Sequence, residues 1–413
     1  MYRGGFILKI ITGGVVAPKG FTANGIHAGI RQNKSKIDLS LIYSEKKATA
    51  AAVYTTNLVK GAPIYVTKEN LSDGYAQAML CNSGNANTCN QDGIFIAKSS
   101  CEILAKELNI APEDVIVAST GVIGLPMSLE PFKTGIPEIV KGLGNTDSHA
   151  DLAAQGIMTT DTKKKEIAVE FNLGNKVCHI GAMTKGSGMI HPNMATMLCF
   201  ITTDVSISAN LLQEALKEAT SDSFNMLSVD GDTSTNDMVS IMANGLADNE
   251  KITEKNNYYA EFKDALKYIT IYLAKAMAKD GEGATKLLIA HVTHAKTIED
   301  AKIVAKSVIC SSLLKAAMFG SDANWGRVLC AIGYSKADVD VLKVDVEFKS
   351  NKGIIPVCKN GSGIPFSEEL AKEILSEDEI TIEINLNDGE GESQAFGCDL
   401  TYDYVKINGD YRS

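Results

Sequence analysis

Apolar and polar positions change period repeatedly along this chain, and the changes predict alternating strands and helices. The first sixty residues carry short apolar runs, FILKII, GGVVAPKGF, ANGIHAGI, IDLSLIY and ATAAAVYTT, broken by Gly13-Gly14 and Pro18. Runs of that length between turn residues predict β-strands. Further strands are predicted over 76–81 and 114–118, with a helix between them over 97–108 that puts Ile103, Leu104 and Leu108 on one face. Leu211, Leu212, Ala215, Leu216 and Ala219 form the stripe of a helix over 210–220. Phe262, Leu266, Ile269, Leu273 and Met277 recur at three and four residues and predict the longest helix, 258–277. A strand over 287–292 and one continuous helix over 298–317, N-capped by Thr297, come next. The C-terminal third predicts strands over 339–348, 379–386 and 396–406 and a helix over 367–375. The mixture places the chain in the α/β or α+β class.

One stretch departs from this rhythm. Lys185 to Asp204 reads KGSGMIHPNMATMLCFITTD. Gly186, Ser187 and Gly188 are backbone-permissive, and Pro192 forbids a helix across the segment. Met197 to Ile201 is an apolar run that predicts a buried strand. Thr196 therefore stands where a glycine-rich loop enters a core strand. A hydroxyl there is placed to act as a nucleophile, and small Ala195 leaves the Ala195–Thr196 carbonyl open to it. The plain alternative is a β-branched residue starting a strand.

Composition narrows the class. The chain has 413 residues, 45% of them apolar and 22% charged, enough for a large core and more than one lobe. The net charge of −10, with no aromatic-basic interleaving, argues against nucleic acid as a partner. No apolar window reaches membrane-spanning length, which leads to an expectation of a cytoplasmic protein without a membrane partner. The nine cysteines are scattered, with no C-x-x-C and no zinc-finger spacing, so they read as buried hydrophobes and no metal site is expected. His27 reads as structural.

Several polar loops follow predicted strands. Asn82-Ser83-Gly84-Asn85-Ala86-Asn87 suits either substrate contact or a turn. At Ser119-Thr120-Gly121, a glycine after a strand frees an amide to meet an incoming oxygen, as an oxyanion hole requires. Thr159 and Thr160 offer hydroxyls ahead of Lys163-Lys164-Lys165, a run expected to be a solvated turn. Ser228 to Asp237 mimics a calcium loop but has Thr235 and Ile241 where that loop needs Gly and Glu. Glu282, between Gly281 and Gly283, reads as a carboxylate aimed at a substrate amine. The phosphate-loop reading fails there because the order is helix to strand.

Lys185-Gly186-Ser187-Gly188-Met189-Ile190 followed by Pro192-Asn193-Met194-Ala195-Thr196-Met197-Leu198 resembles the signature of the ornithine acetyltransferase family, the glutamate N-acetyltransferases of arginine biosynthesis. The resemblance covers essentially the whole chain, including the NSGNAN and SVDGDTSTND loops. It implies self-cleavage between Ala195 and Thr196, giving an alpha chain 1–195 as the N-terminal lobe and a beta chain 196–413 as the C-terminal lobe. It further implies Thr196 as an N-terminal nucleophile, Thr120 and Gly121 as the oxyanion hole, and Thr159 (Thr160 the alternative), Lys185, Thr196, Glu282, Asn408 and Ser413 as substrate contacts. The family more often ends in Thr; Ser413 keeps the hydroxyl. The implied fold is layered, with sheets sandwiched by helices, N-terminal-nucleophile-like, in two lobes with the site between them.

The implied reaction moves an acetyl group from N2-acetylornithine to glutamate through acetyl-Thr196. No cofactor is expected, acetyl-CoA is open as a co-substrate, and the implied assembly is a heterotetramer of two alpha and two beta chains. Two other readings remain: a self-cleaving N-terminal-Thr amide hydrolase or aminopeptidase, and an uncut amino-acid-binding protein.

Overall fold

The structure, a computed structural model, describes residues 8–191 and 197–410. Its strands form two sheets. The larger has nine strands, in the order Leu8–Ile11, Lys165–Leu173, Lys176–Lys185, Leu198–Thr203, Met238–Ala243, Leu39–Tyr54, Tyr75–Asn85 and Val115–Val122, with Phe21–Ile26 paired to Leu39–Tyr54. The smaller has seven, in the order Ser362–Gly363, Gly353–Lys359, Asp345–Ser350, Glu379–Asn385, Leu287–Ala295, Gly391–Cys398 and Leu227–Ser228.

Helices cover both faces of the larger sheet. Asn257–Lys279 and Ala209–Ser221 pack one face through Phe262, Leu266, Ile269, Leu273, Leu212 and Leu216, against Val169, Ile180 and Ile201. The other face meets Asp147–Gly156 through Ala150, Ala153 and Ala154. Each large side chain buried this way contributes about 1.5–3 kcal/mol. Strand Leu198–Thr203 is buried at every position, as expected of a strand covered on both faces. The smaller sheet has its own core, packed against Ile298–Cys310 and Glu368–Leu375.

Mixed α/β layering is thus observed, and most expected elements are present. Four expectations are corrected. The single helix over 298–317 is two, Ile298–Cys310 and Ser312–Phe319, because Ser311 adopts an extended backbone and caps the second by accepting from Leu314 N. The strand over 396–406 ends at Cys398, and Tyr402–Asp410 is a helix. The run Lys163-Lys164-Lys165 is not wholly solvated: Lys165 is buried between Asp161 and Asp280. Finally, strands Leu198–Thr203 and Met238–Ala243 lie inside the larger sheet, so the boundary between the sheets does not coincide with residues 195/196. Their outer edges pair with strands from the first half, Lys176–Lys185 and Leu39–Tyr54.

Candidate functional site

The site forms where strand ends and connections of the larger sheet meet the turn leading into the smaller one. Val115–Val122 pairs in parallel with Tyr75–Asn85, bringing Ser83 opposite Thr120 and Gly84 opposite Gly121. Both loops that the sequence suggested after these strands are therefore partly strand. Gly121 has φ +129°, and a Cβ there would lie 2.4 Å from the Gly84 carbonyl carbon. Only glycine fits that approach.

Lys185 ends strand Lys176–Lys185 and is buried. Asp161 organises the turn beside it. Its carboxylate accepts from Thr159 N at 2.9 Å, Gly186 N at 2.8 Å and Lys165 Nζ at 2.7 Å. Lys165 Nζ also donates to Asp280 at 2.5 Å. Burial pushes the Asp161 carboxyl upward, but the charges of Lys185 and Lys165 outweigh it and hold the group well below the usual carboxylate range. Glu282 N donates to Ser187 O at 2.9 Å. A Cβ on Gly188 would sit 2.5 Å from the Glu282 carboxyl, so this glycine admits the side chain. Asn408, on the C-terminal helix, reaches Glu282 Oε2 at 2.8 Å.

Thr120, Gly121, Thr159, Thr160, Lys185, Glu282 and Asn408 line one cavity of about 90 Å³ with Gly188, Met189 and Ser234. These positions span almost 300 residues of sequence, yet every described member of the expected set converges here. Thr160 Oγ1 is 2.7 Å from Ser187 Oγ, while Thr159 reaches Asp161. Ala195, Thr196 and Ser413 lie outside the described residues. Met197, the residue after Thr196, is described: its Cβ lies 3.5 Å from where a Cβ on Gly186 would be.

The Ser228–Asp237 loop has a structural task that composition alone did not disclose. Asp230 accepts from Met189 N at 2.7 Å and Ile190 N at 2.8 Å, and Thr233 Oγ1 donates to His191 O at 2.8 Å. Asn236 Nδ2 donates to Ala86 O and Ser119 O, and its Oδ1 accepts from Thr88 Oγ1. One loop thus holds the approach to Thr196, the NSGNAN segment and the strand bearing Thr120. Asp237 was not anticipated. It is buried, its Oδ2 has no hydrogen-bond partner among the described residues, and Met238 N donates to Met197 O at 2.9 Å. Burial pushes its carboxyl far above the usual range, only partly opposed by Ser234, Lys185 and the Met197 amide. The sequence signal was a carboxylate directly preceding the apolar run 238–243.

His27 is structural, as expected: its Nδ1 is 2.9 Å from Lys36 O. Among the described residues no cluster of His, Cys, Asp and Glu is arranged to hold a metal ion, and no helix is long and apolar enough to cross a membrane.

Buried Lys185, the Thr120-Gly121 pair and the glycine-flanked carboxylate of Glu282 thus surround one small cavity. The ArgJ family model matches residues 22–413, and the chain belongs to that family. It is 52% identical over 394 residues to the arginine biosynthesis bifunctional protein ArgJ 1 of Clostridium acetobutylicum, covering 95% of this chain and 96% of that one. It is 50% identical to the ArgJ protein of Caldanaerobacter subterraneus, over 98% of this chain and all of the other. A crystal structure of the Bacillus halodurans ArgJ protein is 47% identical, covering 51% of this chain and 98% of that one, with a TM-score of 0.49.

Proposed function

We propose that this chain is an acyltransferase of arginine biosynthesis that carries an acetyl group from N2-acetylornithine to glutamate, releasing ornithine and N-acetylglutamate. The observation that carries the reading is the convergence of Thr120, Gly121, Thr159, Lys185, Glu282 and Asn408 on one cavity, in a chain of the ArgJ family.

The chain cuts itself between Ala195 and Thr196, giving 1–195 and 196–413. The freed α-amine, with an ordinary pKa of ~7.7–8, is partly neutral near pH 7 and takes the Thr196 hydroxyl proton. The hydroxyl oxygen attacks the acetyl carbonyl of acetylornithine, and the Thr120 hydroxyl and Gly121 amide carry the developing oxyanion. Collapse expels ornithine, with the proton returned to its departing amine. Glutamate then attacks acetyl-Thr196 by the same route in reverse. Lys185 holds the substrate α-carboxylate, and Glu282, supported by Asn408, meets the amino group. Thr159 borders the cavity, and Ser413 adds a hydroxyl from the terminus. Acetyl-CoA serves as a second acetyl donor, consistent with the word bifunctional in the names of the relatives. The enzyme works in the cytoplasm as two copies of each fragment and needs no cofactor.

Denaturing electrophoresis with an acetyl-transfer assay tests this. Two bands in the parent, one in Thr196→Ala, and N-acetylglutamate formed from acetylornithine are expected. Acetate release without transfer to glutamate would instead indicate an amide hydrolase. A single full-length band in active parent protein would overturn the scheme.

A further inference from the structure

Glu282 stands in the turn 280–286, which joins helix Asn257–Lys279 to strand Leu287–Ala295 and so crosses from the layer of the larger sheet to the smaller sheet. Its backbone is clamped at three points. At its start, the Asp280 carboxylate accepts from Thr162 N at 3.1 Å, from the Thr162 hydroxyl and from Lys165 Nζ at 2.5 Å. At its end, the Asp399 carboxylate accepts from Thr285 N at 2.8 Å, Lys286 N at 3.0 Å and the Thr285 hydroxyl. In its middle, Thr401 Oγ1 donates to Gly283 O at 2.6 Å. Gly283 has φ +71°, and a Cβ there would lie 2.6 Å from Tyr404 N, so the first turn of helix Tyr402–Asp410 rests directly on it. Asp399 and Thr401 are buried, and neither is among the residues lining the catalytic cavity.

The two charged ends of that cavity are held by different means. Lys185 is the last residue of strand Lys176–Lys185, whose register is fixed on both sides by Lys165–Leu173 and Leu198–Thr203. Glu282 has no strand to hold it. Its carboxylate rides on a turn with a glycine on each side, and glycine brings little backbone preference of its own. The contacts to Asp280, Asp399 and Thr401, with Glu282 N donating to Ser187 O at 2.9 Å, specify where that carboxylate stands. A binding group held to a narrow geometry needs such supporting hydrogen bonds behind it. The segment after strand Gly391–Cys398 therefore acts twice on one residue: Asp399 and Thr401 hold the backbone around Glu282, and Asn408 Nδ2 holds its carboxylate at 2.8 Å.

We infer that Asp399 and Thr401 are positioning residues that set how far the Glu282 carboxylate reaches into the cavity, and so select the length of the substrate's amine-bearing side chain. The inference rests on the proposed roles of Lys185 on the α-carboxylate and Glu282 on the free amine. In N2-acetylornithine the α-nitrogen is acetylated, so the free amine is the one at the end of the side chain. With Lys185 fixed by the sheet and Glu282 by the clamped turn, the separation of the two protein charges matches one chain length. N2-acetyllysine, one methylene longer, overshoots it. Glutamate carries no side-chain amine and makes no use of that match. Asp399 and Thr401 act through Glu282 without touching substrate. Loosening either contact lets the carboxylate retreat, which weakens acetylornithine binding and relaxes the discrimination against the longer homologue.

Steady-state kinetics of the protein expressed as the full chain test this, with N2-acetylornithine or N2-acetyllysine as donor and glutamate as acceptor. Thr401→Val is expected to raise the KM for acetylornithine about fivefold and Asp399→Ala about tenfold, with kcat and the glutamate KM within about twofold of the parent. In both variants the preference for acetylornithine over acetyllysine, as a ratio of kcat/KM, narrows at least about threefold. Thr401→Ser keeps the donor, and Asp399→Asn keeps an oxygen that can accept from both amides, so each returns close to parent values. In a Glu282→Gln background, Thr401→Val adds less than about twofold, because its effect passes through that carboxylate. Thr401→Val changes little volume and carries the test should Asp399→Ala fail to fold. The two KM values rising together, an unchanged donor preference, or an undiminished effect of Thr401→Val in the Glu282→Gln background would each overturn the inference and leave the role of Glu282 standing. A parent-like acetylornithine KM in Glu282→Gln would overturn both.

Discussion

Asn408 Nδ2 donates a 2.8 Å hydrogen bond to Glu282 Oε2, tying the C-terminal helix to the glycine-rich turn across 126 positions. A hydrogen bond to a carboxylate contributes about 1.5–3 kcal/mol, less where water competes. Asn408→Ala is therefore expected to raise the KM for acetylornithine about tenfold with a smaller change in kcat. Glu282→Gln, which removes the charge opposite the amine, should raise KM more. Steady-state kinetics with acetylornithine and glutamate check both. An unchanged KM in both variants would remove Glu282 from the substrate site.

Gly121 is the second point of test. At φ +129°, with the Gly84 carbonyl carbon 2.4 Å from any added Cβ, Gly121→Ala must shift the paired strand ends. Loss of an oxyanion donor costs about 10²–10³ in kcat. Thr120→Val, which removes the hydroxyl donor, should lose about a hundredfold in kcat, and Gly121→Ala, which displaces its amide together with the paired strand ends, should lose at least as much.

Lys165 bridges two buried carboxylates, Asp161 and Asp280. Removing one partner of a buried ion group leaves uncompensated charge and costs about 3–5 kcal/mol. Lys165→Met should lose that much in urea denaturation. Because Asp161 also holds Thr159 N and Gly186 N, activity should fall in the folded fraction too. Wild-type stability in this variant would show that the triad is not buried as described.

Two histidines set a pH dependence of stability. The Asp204 carboxylate beside His179, and the Glu383 and Glu392 carboxylates beside His291, raise both imidazole pKa values against the opposing effect of burial. A folded-state pKa above the unfolded one means that the folded protein binds more protons. The stabilisation is complete below about pH 6.5 and disappears as pH rises through the raised values. Denaturation midpoints should decline from pH 6 upward, and Glu383→Gln should flatten part of that decline. A flat profile in the parent would contradict it.

Burial raises the Asp237 pKa well above that of a free carboxyl. Asp237→Asn keeps the shape without the ionisable proton. The variant should fold with undiminished stability at pH 8, and gel densitometry should show slower appearance of the two fragments. Normal cleavage kinetics would confine Asp237 to packing.

The amphipathic helices were legible because one face of each is committed to a single core: the stripe from Phe262 to Met277 is the buried face of Asn257–Lys279. The candidate site residues were suggested by long motifs rather than periodicity, and the described ones line one cavity. What escaped depended on contacts distant in sequence. The break at Ser311 is a local cap inside an unbroken apolar stripe, which periodicity reads as one helix. The buried position of Lys165 is set by Asp280, 115 residues away, together with Asp161, four residues away, and the distant partner cannot be read from the local pattern. The terminal helix Tyr402–Asp410 has no buried side chain to give it a stripe, and its Tyr and Val content favours a strand on propensity. The hairpin strand Gly353–Lys359 was missed because Pro356 sits within it.

The register of the larger sheet bears on what scission would do to the molecule. Residues 180–185 pair one-to-one with 203–198, and Met238–Ala243 pairs with residues 54–49 of the long strand near the N-terminus. Everything after residue 195 therefore supplies two middle rungs of a ladder whose outer rungs come from before it. Opening the backbone leaves the halves zipped together, inseparable without denaturant. Each half made alone would bare unsatisfied strand edges, so the two must be synthesised as one polypeptide, or side by side, to become an enzyme.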